Sequence, residues 1–162
     1  MADAGYKFKG EDTIFLVDLG DDLIRPFDQT DGETSFDIDE LEVSTKDRTG
    51  TDYGDITEVR SFEGELVYDD PFIPAIKDAI RKKRFVEIVE VNLVTHEAER
   101  GIHMISDFNL SYPNGDFATY SLEARLFGEV KTEELTEIPE GAPELDLGVD
   151  DGSGSNGGGV EG

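Results

Sequence analysis

The chain has 162 residues, a formal net charge of −25 from 39 acidic and 14 basic residues, 36% hydrophobic residues and no cysteine. That length holds one domain of ordinary size with its own core, and the missing cysteine excludes a disulfide framework, a thiolate nucleophile and Cys-ligated zinc. The charge repels DNA and anionic lipid at long range, and no stretch approaches the ~18 apolar residues of a membrane span.

The N-terminal "MADAGYKFKGED" has no apolar run of the signal-peptide kind. "TIFLVDL" (13–19) is rich in β-branched and aromatic residues and predicts a strand. "SFDIDELEVST" (35–45) alternates, but its apolar phase switches from Phe36 and Ile38 to Leu41 and Val43, which predicts a bulge or bend. "KDRTGTDYGD" (46–55) is polar with two Gly and predicts a loop or an extended hairpin tip, followed by a second alternating run, "ITEVRSFEGELVY" (56–68). A helix follows over about 71–83. Asp70 suits the N-cap and Pro71 the first turn, while Ile73, Ile76, Ala79 and Ile80 make one apolar stripe. Five of the fourteen bases (Lys77, Arg81, Lys82, Lys83, Arg84) crowd its C-terminal half.

"FVEIVEVNLV" (85–94) is nearly continuous in apolar content, as a central strand covered on both sides requires. In "IHMISDFNLSY", Ile102, Met104, Phe108, Leu110 and Tyr112 share a phase with Ser106 as the exception. In "FATYSLEARLF", Ala118, Tyr120, Leu122, Ala124 and Leu126 do the same, and Asn114-Gly115 between the two runs predicts a hairpin over 102–127. From Thr132 onward there is no Lys or Arg, nine of the acids and eight of the eighteen Gly, so residues 1–131 keep −16 of the charge. That composition predicts a folded domain over 1–131 and a flexible, acidic, Gly-rich tail over 132–162. The expected fold is mainly β: a β-sandwich or partly closed barrel of about seven strands with one flanking helix.

Catalytic signals are weak. With 39 acids, adjacent carboxylates arise by chance, no Gly-x-Ser-x-Gly elbow or phosphate loop occurs, and His96 and His103 have no metal-ligand spacing. His103 falls on the polar phase of its strand and is expected to be exposed. The acidic, Gly-rich C-terminus lacks the ligand register of a calcium loop. No catalytic, metal or cofactor residues are assigned, and the chain is not expected to be an enzyme. The cationic helix end has three readings. Compensation of the helix dipole stabilises by about 0.3–1 kcal/mol per charge. DNA binding would need a wider basic surface or interleaved aromatics, and the acidic field opposes it. Contact with another copy of an acidic chain uses the charge as complementarity. Subunit contact combined with dipole compensation fits best.

The order of an acidic alternating strand, "STKDRTGTDYGD", "SFEGELVYDDP", the helix "FIPAIKDAIRKKRF", "VEIVEV" and "NGDFATYSLEARLFGEVK" resembles the major tail proteins, or tail-tube subunits, of long-tailed non-contractile phages of Gram-positive hosts. The resemblance spans roughly residues 10–131. It implies a structural virion protein, made and assembled in the host cytoplasm, whose copies close into hexameric rings that stack as a hollow tail tube. The implied partners are other copies of the chain, the tape-measure protein inside the tube, and the terminator and distal tail proteins at its ends. DNA passes an acidic lumen during genome ejection without specific binding, and no membrane is involved. The resemblance also implies that the loop between the second and third strands reaches a neighbouring ring. The expected inter-subunit residues are therefore Lys46, Asp47, Arg48, Asp52, Tyr53 and Asp55 in that loop, with Arg81, Lys82, Lys83 and Arg84 at the helix end. The alternative function is a stand-alone β-sandwich module binding carbohydrate or peptide, disfavoured by the absence of Trp. A third, an acidic DNA mimic, leaves the basic helix end without a role.

Overall fold

The computed structural model describes residues 4–20 and 22–143. As expected, the described chain is mainly β with a single α-helix. A 3-10 turn (Gly10–Asp12) leads into β1 (Thr13–Asp18) and the two-residue β2 (Leu23–Ile24). The long β3 (Gln29–Ser44) and β4 (Thr49–Glu65) follow, then α1 (Phe72–Arg81), β5 (Val86–Asn92), β6 (Glu97–Ser111), β7 (Thr119–Leu126) and β8 (Lys131–Glu134). All eight strands form one antiparallel sheet in the order β2-β1-β5-β6-β7-β4-β3, and β8 also pairs with β6.

The sheet curls without closing. At the seam between β1 and β3, the Gln29 side chain stands in for a neighbouring strand. Its Oε1 accepts the Phe15 N–H at 3.0 Å and its Nε2 donates to the Phe15 carbonyl at 2.8 Å. The inner face holds the main core: Phe15, Val17, Phe62, Val86, Ile88, Tyr120, Leu122 and Ala124, closed by Phe72, Ile76 and Ala79 of α1. Phe62 stacks on Phe15 at 5.1 Å between ring centroids and meets Tyr120 edge-on at 6.4 Å. Opposite-parity residues of β1 and β5 (Ile14, Leu16, Val89, Val91) pack on the outer face with Ala98 and Leu135. Strand β5 is thus covered on both sides, which explains its continuous apolar run.

Asp70 caps the helix as its position predicts. Its Oδ1 accepts the Phe72 N–H and its Oδ2 the Phe27 N–H, each at 3.0 Å. Burial pushes this carboxyl above the ordinary carboxylate range, against the pull of the two amides. The regular helix runs from Phe72 to Arg81, inside the expected 71–83, because Lys83 takes a left-handed φ of 58°. The Arg84 N–H then reaches back to the Ala79 carbonyl (2.8 Å) and the Lys83 N–H to that of Ile80 (3.0 Å), a complete Schellman closure.

The expected boundary at 131/132 falls inside β8. Residues 131–134 pair with Glu97–Arg100, Leu135 is buried, Ile138 packs on the outer core, and Arg25 donates to the Pro139 carbonyl at 3.1 Å. The remainder of the expected tail, 144–162, lies outside the described residues.

Candidate assembly surfaces

The expected loop over 46–55 is mostly strand. β3 and β4 pair from Gln29↔Gly64 out to Ser44↔Thr49, but β4 pairs with β7 only from Val59 to Glu65. Beyond Val59 the two strands have only each other, so they leave the sheet as a two-stranded arm with a turn at 45–48. Thr45 builds the turn: its hydroxyl accepts the Asp47 and Arg48 N–H groups (3.3 and 3.1 Å), and its own N–H donates to the Arg48 carbonyl at 2.8 Å. The expected irregularity appears as a register shift between Ile38 and Glu40, with Gly54 and Asp55 facing Asp39. Along the arm Phe36, Ile38, Leu41, Tyr53 and Ile56 are all exposed.

Lys46, Asp47 and Arg48 therefore sit at the arm tip, while Asp52, Tyr53 and Asp55 lie along its β4 side. Arg81, Lys82, Lys83 and Arg84 are exposed at the helix end. Asp78 engages two of them, Lys82 at 3.2 Å and Arg84 at 2.7 Å. Among the described residues no hydrogen bond or ion pair joins the arm group to the helix group, so the structure places them as two separate surfaces.

A third surface is the outer face of β3, β4, β7 and β6. The registers lay its side chains in rows: Glu33–Ser61–Glu123–Asp107, then Asp31–Glu63–Ser121–Asn109. Among the described residues these side chains are exposed or half-buried, and two cross-strand pairs, Asp31–Glu63 and Glu123–Asp107, set like charges directly opposite. Such pairs destabilise a sheet by a few tenths of a kcal/mol or more. Sequence reading missed this face because it depends on which strands become neighbours.

Two arginine clusters were also missed. On the inner face Arg60, 1% exposed, bridges Glu58 (2.7 Å), Glu90 (3.1 Å) and Glu99 (3.0 Å), with Thr34 donating to Glu90. The signal was present: Arg60 shares strand parity with the core residue Phe62. His103 joins this cluster and corrects the expectation of an exposed histidine, being 0% exposed. A register shift between Ile105 and Asp107 reverses the phase of β6. His103 and Ile105 point inward before it, Phe108 and Leu110 after it, and Ile102 and Met104 are turned out. The exceptional Ser106 marks the shift. The His103 Nδ1–H donates to the Gly101 carbonyl at 2.8 Å, leaving Nε2 to face Arg60 Nη1 at 3.4 Å. Burial, with the Arg60 charge adding to it, lowers this imidazole's pKa to about 4. On the outer face Arg100 bridges Asp18, Glu87 and Glu133 at 3.5, 3.0 and 2.8 Å. These arrangements neutralise charge and fix strands, and none presents a nucleophile and base to a cleft.

A family model described as phage tail tube protein matches residues 7–132. No curated protein matches the sequence. The fold is similar to a chain in the tail of an empty gene transfer agent particle, refined helically with C6 symmetry, at 14% identity and TM-score 0.68, covering 78% of this chain and 99% of that one. It is also similar to the SPP1 tail tube, solved by solid-state NMR and cryo-EM, at 14% identity and TM-score 0.67, with 90% and 94% covered. A chain of the PVC sheath–tube complex of an extracellular contractile injection system matches at 10% identity and TM-score 0.55, with 75% and 89% covered.

Proposed function

The chain belongs to the phage tail tube protein family, and on that premise we propose that its copies close into hexameric rings, stacked as the tube of a long non-contractile tail. The better match to the gene transfer agent tail and the SPP1 tail tube than to the contractile injection system supports the non-contractile reading. A Gram-positive host rests on the sequence resemblance alone. The role is structural rather than catalytic. The tube is built in the host cytoplasm around a tape-measure protein, is bounded by terminator and distal tail proteins, and becomes part of the virion. The arm tip (Lys46, Asp47, Arg48) with Asp52, Tyr53 and Asp55 reaches a neighbouring ring, and the helix-end cations Arg81, Lys82, Lys83 and Arg84 also serve subunit contact.

The observation that carries the reading is the bare acidic face of β3-β4-β7-β6, which we assign to the lumen. Like-charged neighbours there weaken the sheet, so their presence calls for a role outside folding. A wall of carboxylates, with Arg125 at its border only 3.9 Å from Glu123, gives DNA few cations with which to exchange its counterions, and the polyanion slides instead of adhering. The face also ends at the free edge of β3, where a neighbouring subunit can continue the sheet. Its orientation can be tested cleanly because the chain has no cysteine. Tubes built from Glu63→Cys or Asn109→Cys protein should react with a small maleimide and resist one carried on a polymer wider than the lumen. Equal reaction with both reagents would place this face on the tube exterior.

A further inference from the structure

One apolar patch remains without an occupant. Phe85 and Phe127 meet edge to face with centroids 5.1 Å apart, yet are 47% and 65% exposed. Ile102 and Met104, turned outward by the shift in β6, are 41% and 47% exposed. They are contiguous: the Phe127 N–H donates to the Ile102 carbonyl at 2.7 Å, and Phe85 directly precedes the Val86–His103 pair. Large exposed apolar patches on a soluble chain mark contact sites. The rim carries cations on this otherwise acidic chain, and Glu87, the carboxylate opposite Ile102, is already engaged by Arg100 at 3.0 Å. Arg84 precedes Phe85, Arg125 stands opposite Met104, and Arg81 and Lys83 at the same helix end have no ion-pair partner among the described residues.

We propose that this patch is the docking surface for the arm of a second copy of the chain. The proposal rests on the tail-tube reading and adds where the arm lands. The arm has the complementary chemistry: exposed Phe36, Ile38, Tyr53 and Ile56 interleaved with Asp37, Asp39, Asp52 and Asp55. The exposed N-terminal Tyr6 and Phe8 are one competing apolar pair, but Lys7 and Lys9 flank them and the cations at the rim repel these. Tyr112 and Phe117 at the β6–β7 turn are also exposed but have one carboxylate between them, Asp116, against the arm's four. The arm and the patch are different surfaces of one chain, so the contact is heterologous and propagates from copy to copy.

Disulfide trapping tests this in the assembled protein. Tubes grown from a mixture of Ile56→Cys and Phe127→Cys chains should give mixed dimers on mild oxidation, and tubes of either variant alone should not. A Met104→Asp, Phe127→Asp double variant, both sites being exposed, should keep the parent's circular dichroism and lose tube yield at least about tenfold. Normal tubes from that variant, or trapping of Phe127→Cys by Phe8→Cys in place of the arm, would overturn the docking and leave the tube reading standing. Failure of the unsubstituted protein to form any tube, alone or with its tape-measure partner, would remove both.

Discussion

Arg60 and Arg100 are each surrounded by three carboxylates drawn from different strands, one cluster on each side of the sheet. A buried guanidinium is tolerable only when its donors are paired, and removing one partner leaves an uncompensated charge. His103 contributes by staying neutral, because its Nε2 can accept from Arg60 only while it carries no proton. The unfolded chain protonates this imidazole near its ordinary 6.5, whereas the folded chain resists until about 4. The stabilisation is therefore complete above pH 6.5 and is lost as pH falls towards 4, by roughly 3 kcal/mol at the bottom of that window. His103→Gln keeps an acceptor for Arg60 and deletes the proton. Urea unfolding at pH 7, 5.5 and 4.5 should show the parent losing roughly that much more stability than the variant. Parallel pH profiles would show that the His103 imidazole titrates alike in the folded and unfolded chains.

The helix end serves local geometry first. Lys83 occupies the C′ position of a Schellman closure at φ 58°, where glycine is the usual residue because a Cβ is strained there. The strain is accepted in a position that also keeps a cation at the helix C-terminus, where the dipole favours it. Lys83→Gly should raise folding stability by about 0.5–1 kcal/mol in chemical denaturation, since relief of the left-handed strain exceeds the loss of one exposed charge. Unchanged or lower stability would mean that the Lys83 side chain makes a compensating contact. The arm shows the opposite balance. It contributes no residue to either core, so folding alone does not explain its exposed aromatic and aliphatic side chains. An isolated two-stranded ribbon is marginal in water, and this one is anchored only where β4 joins β7.

The described chain beyond β7 belongs to the body. β8 continues the β7 edge along β6 after a kink at Gly128, whose φ of 100° suits glycine. Glu133 then closes the Arg100 cluster, and Leu135 and Ile138 cover the outer face of β1 and β5. A chain ended after Val130 should lose about 2–5 kcal/mol, the range for deleting a large buried side chain. One ended after Pro143 should stay within about 0.5 kcal/mol of the full chain, because the remaining Gly-rich, acidic sequence has no apolar stripe. Thermal unfolding of the two truncations checks this directly. A large loss in the second would show that residues past 143 dock on the body.

The mainly β fold, the Asp70-capped helix, the 102–127 hairpin and the two-sided β5 were legible in the sequence, because each is written in local periodicity and turn chemistry. The switch from Phe36 and Ile38 to Leu41 and Val43 even marked the irregularity in β3–β4. A family resemblance was legible too, carried by the order of these segments. Tertiary structure alone decided which strands became neighbours. Only then did Asp31 meet Glu63, Asp107 meet Glu123, and Glu58, Glu90 and Glu99 converge on Arg60. It also decided the facing of His103, since one register shift reverses every side chain before it relative to those after it. The acidic face and the Phe85–Phe127 patch were likewise beyond reach of the sequence, because a surface is made by cross-strand pairing, which local alternation does not specify.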